Sequence, residues 1–553
     1  MSTERVLIGS AKELLPKNGT MKEVGFPDKD SETKILLSKV AGQYRATSSK
    51  CSHYGAPLNK GVITCDGKVV CPWHGAKFDT ATGDIEDAPG LNSLQMFKVE
   101  VENDQVYVYP PPEGVKAAAN GREPSPCKVE SAGINTAGKG VVIVGGGAGA
   151  AHAVEQLREE GYKGPITVIS AENHLPIDRT KLSKALITDP NKIAIRSKEF
   201  YDKLSIEFKL GQEAERIDFE NNKVQIKNGQ AVEYDQLIVA TGATPNRIPV
   251  DGSKLNNIFT MRTVDDAAAI DKAIGPENAD NKKNVVVIGS SFIGMEVAFA
   301  AAARANVSVV GMENAPFEAI LGSDIGNGIK KAHEEKGTKF YLPASLSSFE
   351  PKSDAPNDVG AVILKDGTKI AADIVVLGVG VKPATSVLSN SGVPLEKDQS
   401  VKTDEFLRIG HAGAQGNVFA IGDIASYKDV KSGEHVRVEH WNVAGNHARA
   451  VAKTIMQKGQ PFEKISVFWS AQKAQLRYAG TSRAKTWKDV HVQGNPDELK
   501  FVAYYSVGDD VVAIASMGQD PIAAHVSELM RLDKMLSVSE IKAGKSPFDV
   551  SLE

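Results

Sequence analysis

Val141-Val142-Ile143-Val144-Gly145-Gly146-Gly147-Ala148-Gly149-Ala150 runs from an unbroken apolar stretch straight into a glycine-rich turn, and Ala151 to Glu160 after it is helical in character. Four successive β-branched residues suit a strand buried on both faces, as in a parallel sheet. Gly145 and Gly147 let the backbone approach a pyrophosphate at the N-terminus of the next helix, and Ala150 stands where that helix must pack closely on the strand. The following strand-like run, Ile166-Thr167-Val168-Ile169-Ser170, leads to Glu172, placed to accept a hydrogen bond from a ribose. The design recurs further along. Val285-Val286-Val287-Ile288 enters Gly289-Ser290-Ser291-Phe292-Ile293-Gly294, and Val307-Ser308-Val309-Val310-Gly311-Met312 ends in Glu313. One Gly-x-Gly-x-x-Gly is a weak signal. Two, each with a strand and a carboxylate after it, predict two dinucleotide-binding α/β units.

The second turn differs from the first at its middle position, where Ser291 replaces glycine. A hydroxyl there can donate to a phosphate oxygen, at some loss of close backbone approach. Glu313 would accept from both ribose hydroxyls and repel a 2′-phosphate, and no Arg follows it directly. This predicts NADH over NADPH.

A different chemistry stands near the N-terminus. Cys51-Ser52-His53 and Cys71-Pro72-Trp73-His74 offer two thiolates and two imidazoles in mixed pairs. They suit a [2Fe–2S] cluster with two Cys on one iron and two His on the other, the ligand set of a Rieske centre that carries single electrons. Structural zinc is the alternative, although zinc motifs usually pair Cys with Cys and His with His.

The chain has 553 residues, enough for three or four domains. Its net charge of −4, without a long basic run, leaves no electrostatic footprint for nucleic acid or anionic membrane. The cluster uses two of the four cysteines; Cys65 and Cys127 form no further motif, which fits a reducing compartment. The N-terminus lacks a secretory or transit pattern, and the longest apolar stretch is broken by Glu296. The expectation is a cytoplasmic protein without a membrane span; mitochondrial association and a homodimer stay open.

Residues 1–110 are rich in short β-type runs and stop at Pro110-Pro111-Pro112; 111–139 has linker composition. The expected organisation is an all-β Rieske domain at 1–110 and a linker at 111–139. Two Rossmann-like α/β domains follow, a discontinuous FAD-binding one at 140–265 and 385–460 and an NAD-binding one at 266–384. A C-terminal α+β interface domain completes the chain at 461–553.

Several of these segments carry a resemblance. Ala240-Thr241-Gly242 after a strand, and Gly422-Asp423 after Val418-Phe419-Ala420-Ile421, resemble the matching segments of two-dinucleotide flavoproteins. Residues from about 140 to 460 resemble the pyridine nucleotide–flavin reductases, which include oxygenase-system ferredoxin reductases and apoptosis-inducing factor. With the Rieske loops added, the whole chain most resembles the apoptosis-inducing-factor-like branch. The resemblance implies FAD at the first site, with Asp423 on its ribityl chain, and NADH at the second. Leu175–Lys184 is similar to the family's flavin-side segment: Arg179 and Lys184 match, whereas Ile177 and Thr180 replace the usual Tyr and Pro. That segment's Lys pairs with a Glu of the second fingerprint helix, which implies a Lys184–Glu296 ion pair beside the isoalloxazine. Trp441 and Trp469 fall at positions bordering the flavin. The Rieske loops lack the extra cysteines of cytochrome-complex Rieske proteins, with Ala56 and Trp73 standing there, which implies a potential in the lower part of the range of about −150 to +300 mV.

The reading is an NADH-dependent FAD reductase that passes electrons to its own Rieske cluster and on to an unidentified one-electron acceptor. The alternative is an apoptosis-inducing-factor-like redox sensor or cell-death protein with slow NADH turnover.

Overall fold

The computed structural model describes residues 5–26, 33–110, 122, 133, 135, 137–277 and 281–552. Most of the expected linker, 111–139, and Cys127 with it, lie outside the described residues. The N-terminal part is built from three antiparallel sheets. One pairs Val6–Ser10, Gln105–Val108 and Val99–Glu102; a second joins Thr20–Gly25, Lys34–Val40, Gln43–Ser48 and Met96–Phe97. The third, Val62–Ile63, Lys68–Val70, Lys77–Asp79 and Ile85–Asp87, carries the second Cys/His loop between its middle strands. Leu58, Val69, Phe78 and Leu94 form the core beneath both Cys/His loops.

Two five-stranded parallel sheets follow, each with its fingerprint strand in the centre. The first runs Ile206–Lys209, Ile166–Ile169, Val141–Val144, Gln236–Val239, Val418–Ala420. The second runs Ile258–Thr260, Ile374–Leu377, Asn284–Ile288, Asn306–Val310, Lys339–Tyr341. The chain crosses between the units on two antiparallel strands, Ala243–Pro245 and Val381–Pro383, and the central strands are buried on both faces. In the first unit, helix Ala148–Glu159 packs along helix Trp441–Ile455, where small Ala150, Ala153, Ala448 and Ala452 let the axes come close.

The C-terminal part is a five-stranded antiparallel sheet, ordered Ser466–Gln472, Ala474–Gly480, Asp510–Met517, Lys500–Val507, Asp489–Asn495, with helix Ile522–Arg531 on it. Its Leu476, Phe501, Ala503 and Tyr505 share one core with Val285, Met295 and Val297 of the second α/β unit. Its helix also meets the N-terminal part: Val62 and Val70 pack with Ala524, Leu529 and Leu552. No helix among the described residues is long and apolar enough to cross a membrane.

Candidate functional site

The two Cys/His loops are built alike. Cys51 N–H donates to Ala56 O and Gly55 N–H to Cys51 O; Cys71 N–H donates to Ala76 O and Gly75 N–H to Cys71 O. Gly55 and Gly75 take φ of +74° and +73°, which glycine adopts without strain and which lets each loop turn back on its cysteine. The Cys51 and Cys71 side chains hydrogen-bond each other, and each sulfur also receives backbone N–H groups, from His53 and Tyr54 at Cys51 and from Trp73 and His74 at Cys71. That shared bond and burial push the Cys51 thiol up. The Cys71 thiol is pulled down: burial resists ionisation, but the bond from Cys51 and the two backbone N–H groups outweigh it. His53 Nδ1 and His74 Nδ1 face each other at 3.0 Å. Burial lowers His53 to about 4 and also lowers His74, so both imidazoles are neutral, the form that binds metal.

Among the described residues no three His, Cys, Asp or Glu side chains gather as ligands of a single ion. A two-iron cluster asks for a Cys pair at one iron and a His pair at the other. That pairing is present, with both sulfurs receiving backbone N–H donors, and the loops fit a Rieske cluster better than one zinc.

Both fingerprint helices are left open at their N-termini. Helices Ala148–Glu159 and Phe292–Ala301 have no side-chain cap and no acidic residue in the first turn. Helix Val264–Ile274, by contrast, is closed by a Thr263–Asp266 capping box. Uncapped N–H groups at a positive helix end suit a pyrophosphate. A Cβ on Gly145 would lie 2.2 Å from Ala240 O, whereas one on Gly147 would meet nothing within 4 Å, so the space over Gly147 is free for a ligand. Gly289 repeats the crowding, 2.2 Å from Gly378 O. Ser291 has φ −97°, close to the −93° of Gly147, so its side chain fits the backbone without strain. Its Oγ lies 3.5 Å from Gly378 O, and Gly294 packs on the strand, where a Cβ would come within 2.5 Å of Gly289 O. Glu313 is half-buried and has no ion-pair partner among the described residues.

Around the first turn the charges interlock. Arg179 binds Glu172 in a fork, at 3.0 and 2.6 Å, and donates to Arg262 O at 2.6 Å; Arg262 in turn reaches Asp423 at 3.0 Å. Arg262 has no signal in the sequence, because its partner is 161 positions away. Thr241 Oγ1 donates to Ala384 O and Ala384 N–H to Gly242 O, which clips the two α/β units together next to Ala240.

Lys184 Nζ lies 3.0 Å from Glu296 Oε2. Glu296, 3 % exposed, also accepts from Ser183 Oγ at 2.5 Å, Ser470 Oγ at 2.7 Å and Ala471 N–H. Trp469 precedes Ser470 on strand Ser466–Gln472, and Trp441 opens helix Trp441–Ile455 of the first unit. Among the described residues, buried Trp441 Nε1 and His152 Nε2 have no partner, with the two rings edge to face at 5.2 Å. Open space at Gly147, bare helix ends and orphaned buried donors together fit a bound FAD.

The cluster loops sit against this pocket. His74 lies 4.3 Å from the Trp469 ring; His53 lies 5.7 Å from Trp469 and 6.4 Å from Trp441, nearly parallel to the latter. Tyr54 stacks on His53 at 3.7 Å, and its hydroxyl donates to Asp178 at 2.5 Å. Segment 85–92 is held on the flavin side: Ala88 N–H donates to Asn446, Arg449 to Ile85 O, and Arg196 to Leu91 O and Asn92. Lys77 bridges to Glu528 at 2.6 Å, and Lys464 to Asp87. Apart from the Tyr54–His53 stack, none of these contacts was legible in the sequence, since each joins residues roughly a hundred or more positions apart.

Residues 139–448, more than half of the chain, match the pyridine nucleotide-disulphide oxidoreductases, and residues 4–98 match the Rieske [2Fe-2S] domain. The chain belongs to the first family as an NAD(P)H-dependent FAD oxidoreductase with a Rieske domain, and its cofactors are FAD, NADH and a Rieske [2Fe–2S] cluster. More particularly, it is 35% identical over 529 residues to apoptosis-inducing factor 3 of Homo sapiens, spanning 95% of this chain and 84% of that protein. Among solved structures it is similar to the ferredoxin reductase for the CYP199A2 system from Rhodopseudomonas palustris, at 29% identity and TM-score 0.66 over 72% of this chain and 96% of that one. It is likewise similar to a chain of the covalent putidaredoxin reductase–putidaredoxin complex, at 26% identity and TM-score 0.68 over 76% and 98%.

Proposed function

We propose that this protein carries electrons from NADH through FAD to its own Rieske cluster and on to an external one-electron acceptor. The observation that carries the reading is the seating of His53 and His74 against Trp469 and Trp441, beside the Lys184–Glu296 pair. When bound, FAD takes a hydride from NADH and gives up electrons singly, and the cluster accepts them one at a time.

The chain's residues supply binding, orientation and electrostatics. Gly145, Gly147 and Ala150 with the open helix end hold the FAD pyrophosphate, and Glu172, Arg179, Ala240, Thr241, Gly242 and Asp423 line the rest of that site. Gly289, Ser291, Gly294 and Glu313 hold NADH. Lys184, fixed by Glu296, keeps a positive charge where the flavin gains electron density. Trp441 and Trp469 exclude water between the two centres. Glu313 favours NADH, and a kcat/KM higher for NADPH would contradict that role. The covalent redoxin complex among similar structures supports a Rieske domain in the place of a separate redoxin.

The 35% identity to apoptosis-inducing factor 3 supports a second reading, an apoptosis-inducing-factor-like redox sensor or cell-death protein with slow NADH turnover. An anaerobic NADH titration followed by absorbance and low-temperature electron paramagnetic resonance separates the two. The electron-transfer reading expects flavin bleaching together with a rhombic cluster signal. Bleaching with a silent cluster in an iron-loaded sample would overturn it in favour of the sensor.

A further inference from the structure

The face of the C-terminal sheet that meets the second cluster loop carries a cation. Strands Ser466–Gln472 and Ala474–Gly480 pair antiparallel, with Val467 opposite Ala479 and Trp469 opposite Arg477. Directly opposed residues share a face. Val467 on that face touches the loop, 3.4 Å from where a Gly75 Cβ would be, and Trp469 lies 4.3 Å from His74. Arg477 therefore faces the Cys71–His74 loop from the C-terminal domain.

Arg477 is 4 % exposed, and its Nη1 donates to Gln475 Oε1 at 3.3 Å. Its nearest carboxylate, Asp520, stands 3.5 Å away with a third of its side chain in solvent. The other charges facing the loops come as pairs, Asp178 with Lys181 and Lys184 with Glu296. Arg477 is thus a buried cation whose counter-ion is partly screened by water, and its field at the cluster is positive.

We propose that Arg477 sets the reduction potential of the Rieske centre from outside the Rieske domain. The inference rests on the electron-transfer reading above. Oxidised, a centre of two ferric ions, two sulfides, two thiolates and two neutral imidazoles has no net charge. One electron taken from the reduced flavin makes it an anion. A fixed cation beside Cys71 favours that anion and makes the flavin-to-cluster step more downhill, and Asp520 works against it.

The test is a mediated potentiometric titration of the loaded full-length protein, followed by electron paramagnetic resonance without NADH. Arg477→Gln is expected to lower the cluster's equilibrium reduction by about tenfold, about 59 mV for one electron. Arg477→Lys stays near the wild type, and Asp520→Asn moves the potential the opposite way. An unchanged potential in Arg477→Gln, or shifts of the same sign in Arg477→Gln and Asp520→Asn, would overturn the proposal. If Arg477→Gln does not retain cluster, Asp520→Asn decides it by its sign alone. Because NADH is absent, this result stands apart from any failure of NADH to reduce the cluster.

Discussion

Glu296 is a buried carboxylate with four donors on it: Ser183, Lys184, Ser470 and the Ala471 N–H. The network continues through Gln472, which donates to Ser470, to His333, whose Nε2 lies 3.0 Å from Gln472 Oε1. Burial lowers His333 to about 4, so it is a neutral donor to that amide at physiological pH. The consequence is a Lys184 held in one place by the Glu296 carboxylate. Glu296→Gln is expected to slow NADH-driven flavin reduction about a hundredfold, the scale of removing one preorganised electrostatic group. Its cluster resonance should be unchanged; equal loss of both would mark a folding defect instead. The Lys184–Glu296 pairing was open to reading because both residues sit in segments with a family resemblance. Ser470 and Gln472 were not, because a serine and a glutamine in a strand announce nothing until the fold brings that strand 174 positions back to Glu296.

Among elements, strand Ile85–Asp87 and the turn after it form the latch of the docked Rieske domain. Asp87 is buried between Lys464 and Lys77. Burial alone would raise its carboxyl, but the two ammonium groups outweigh it and hold it at about 2, below the ordinary 3.8. A carboxylate depressed in the docked state stabilises that state above its ordinary value and loses the contribution as pH falls through the depressed one. The latch is therefore complete above pH 4 and fails between about 4 and 2, at a cost of about 2 kcal/mol. The protection of Ile85–Asp87 against hydrogen exchange, corrected for the intrinsic rate at each pH, should fall across that window in the wild type. Asp87→Asn should exchange about thirtyfold faster at neutral pH and lack the acid step.

Element identity was legible where period and glycine placement were strong, as in both fingerprint strands, and weaker at ends. Helix Trp441–Ile455 starts where His440 Nδ1 caps it by accepting from Asn442 N–H, a cap no period in the sequence marks. Helix Ile522–Arg531 stops just before Asp533, which takes a left-handed φ of 57° and turns the chain toward a second short helix capped by Ser537.

At the scale of the whole molecule, three partnerships fix one arrangement. The second α/β unit and the C-terminal sheet share a core, the C-terminal helix packs on Val62 and Val70 of the Rieske part, and the latch segment lies on the first α/β unit. Burying Leu529 at that junction is worth roughly 1.5–3 kcal/mol, and Val70 adds to it. Motifs carry the signals for FAD, NAD and a Rieske cluster, but only long-range packing brings His53 and His74 against Trp441 and Trp469. Single-residue patterns record local period and ligand spacing, whereas the dock is made of contacts such as Tyr54–Asp178 and Lys77–Glu528 that span 124 and 451 positions.

The central claim is that the docked Rieske domain receives electrons within the same molecule. Rapid anaerobic mixing with one equivalent of NADH, freeze-quenched and read by electron paramagnetic resonance over a hundredfold range of protein concentration, tests it most directly. A cluster-reduction rate after flavin bleaching that is independent of protein concentration is the predicted result. A rate that rises in proportion to concentration, or a cluster that stays silent, would contradict it.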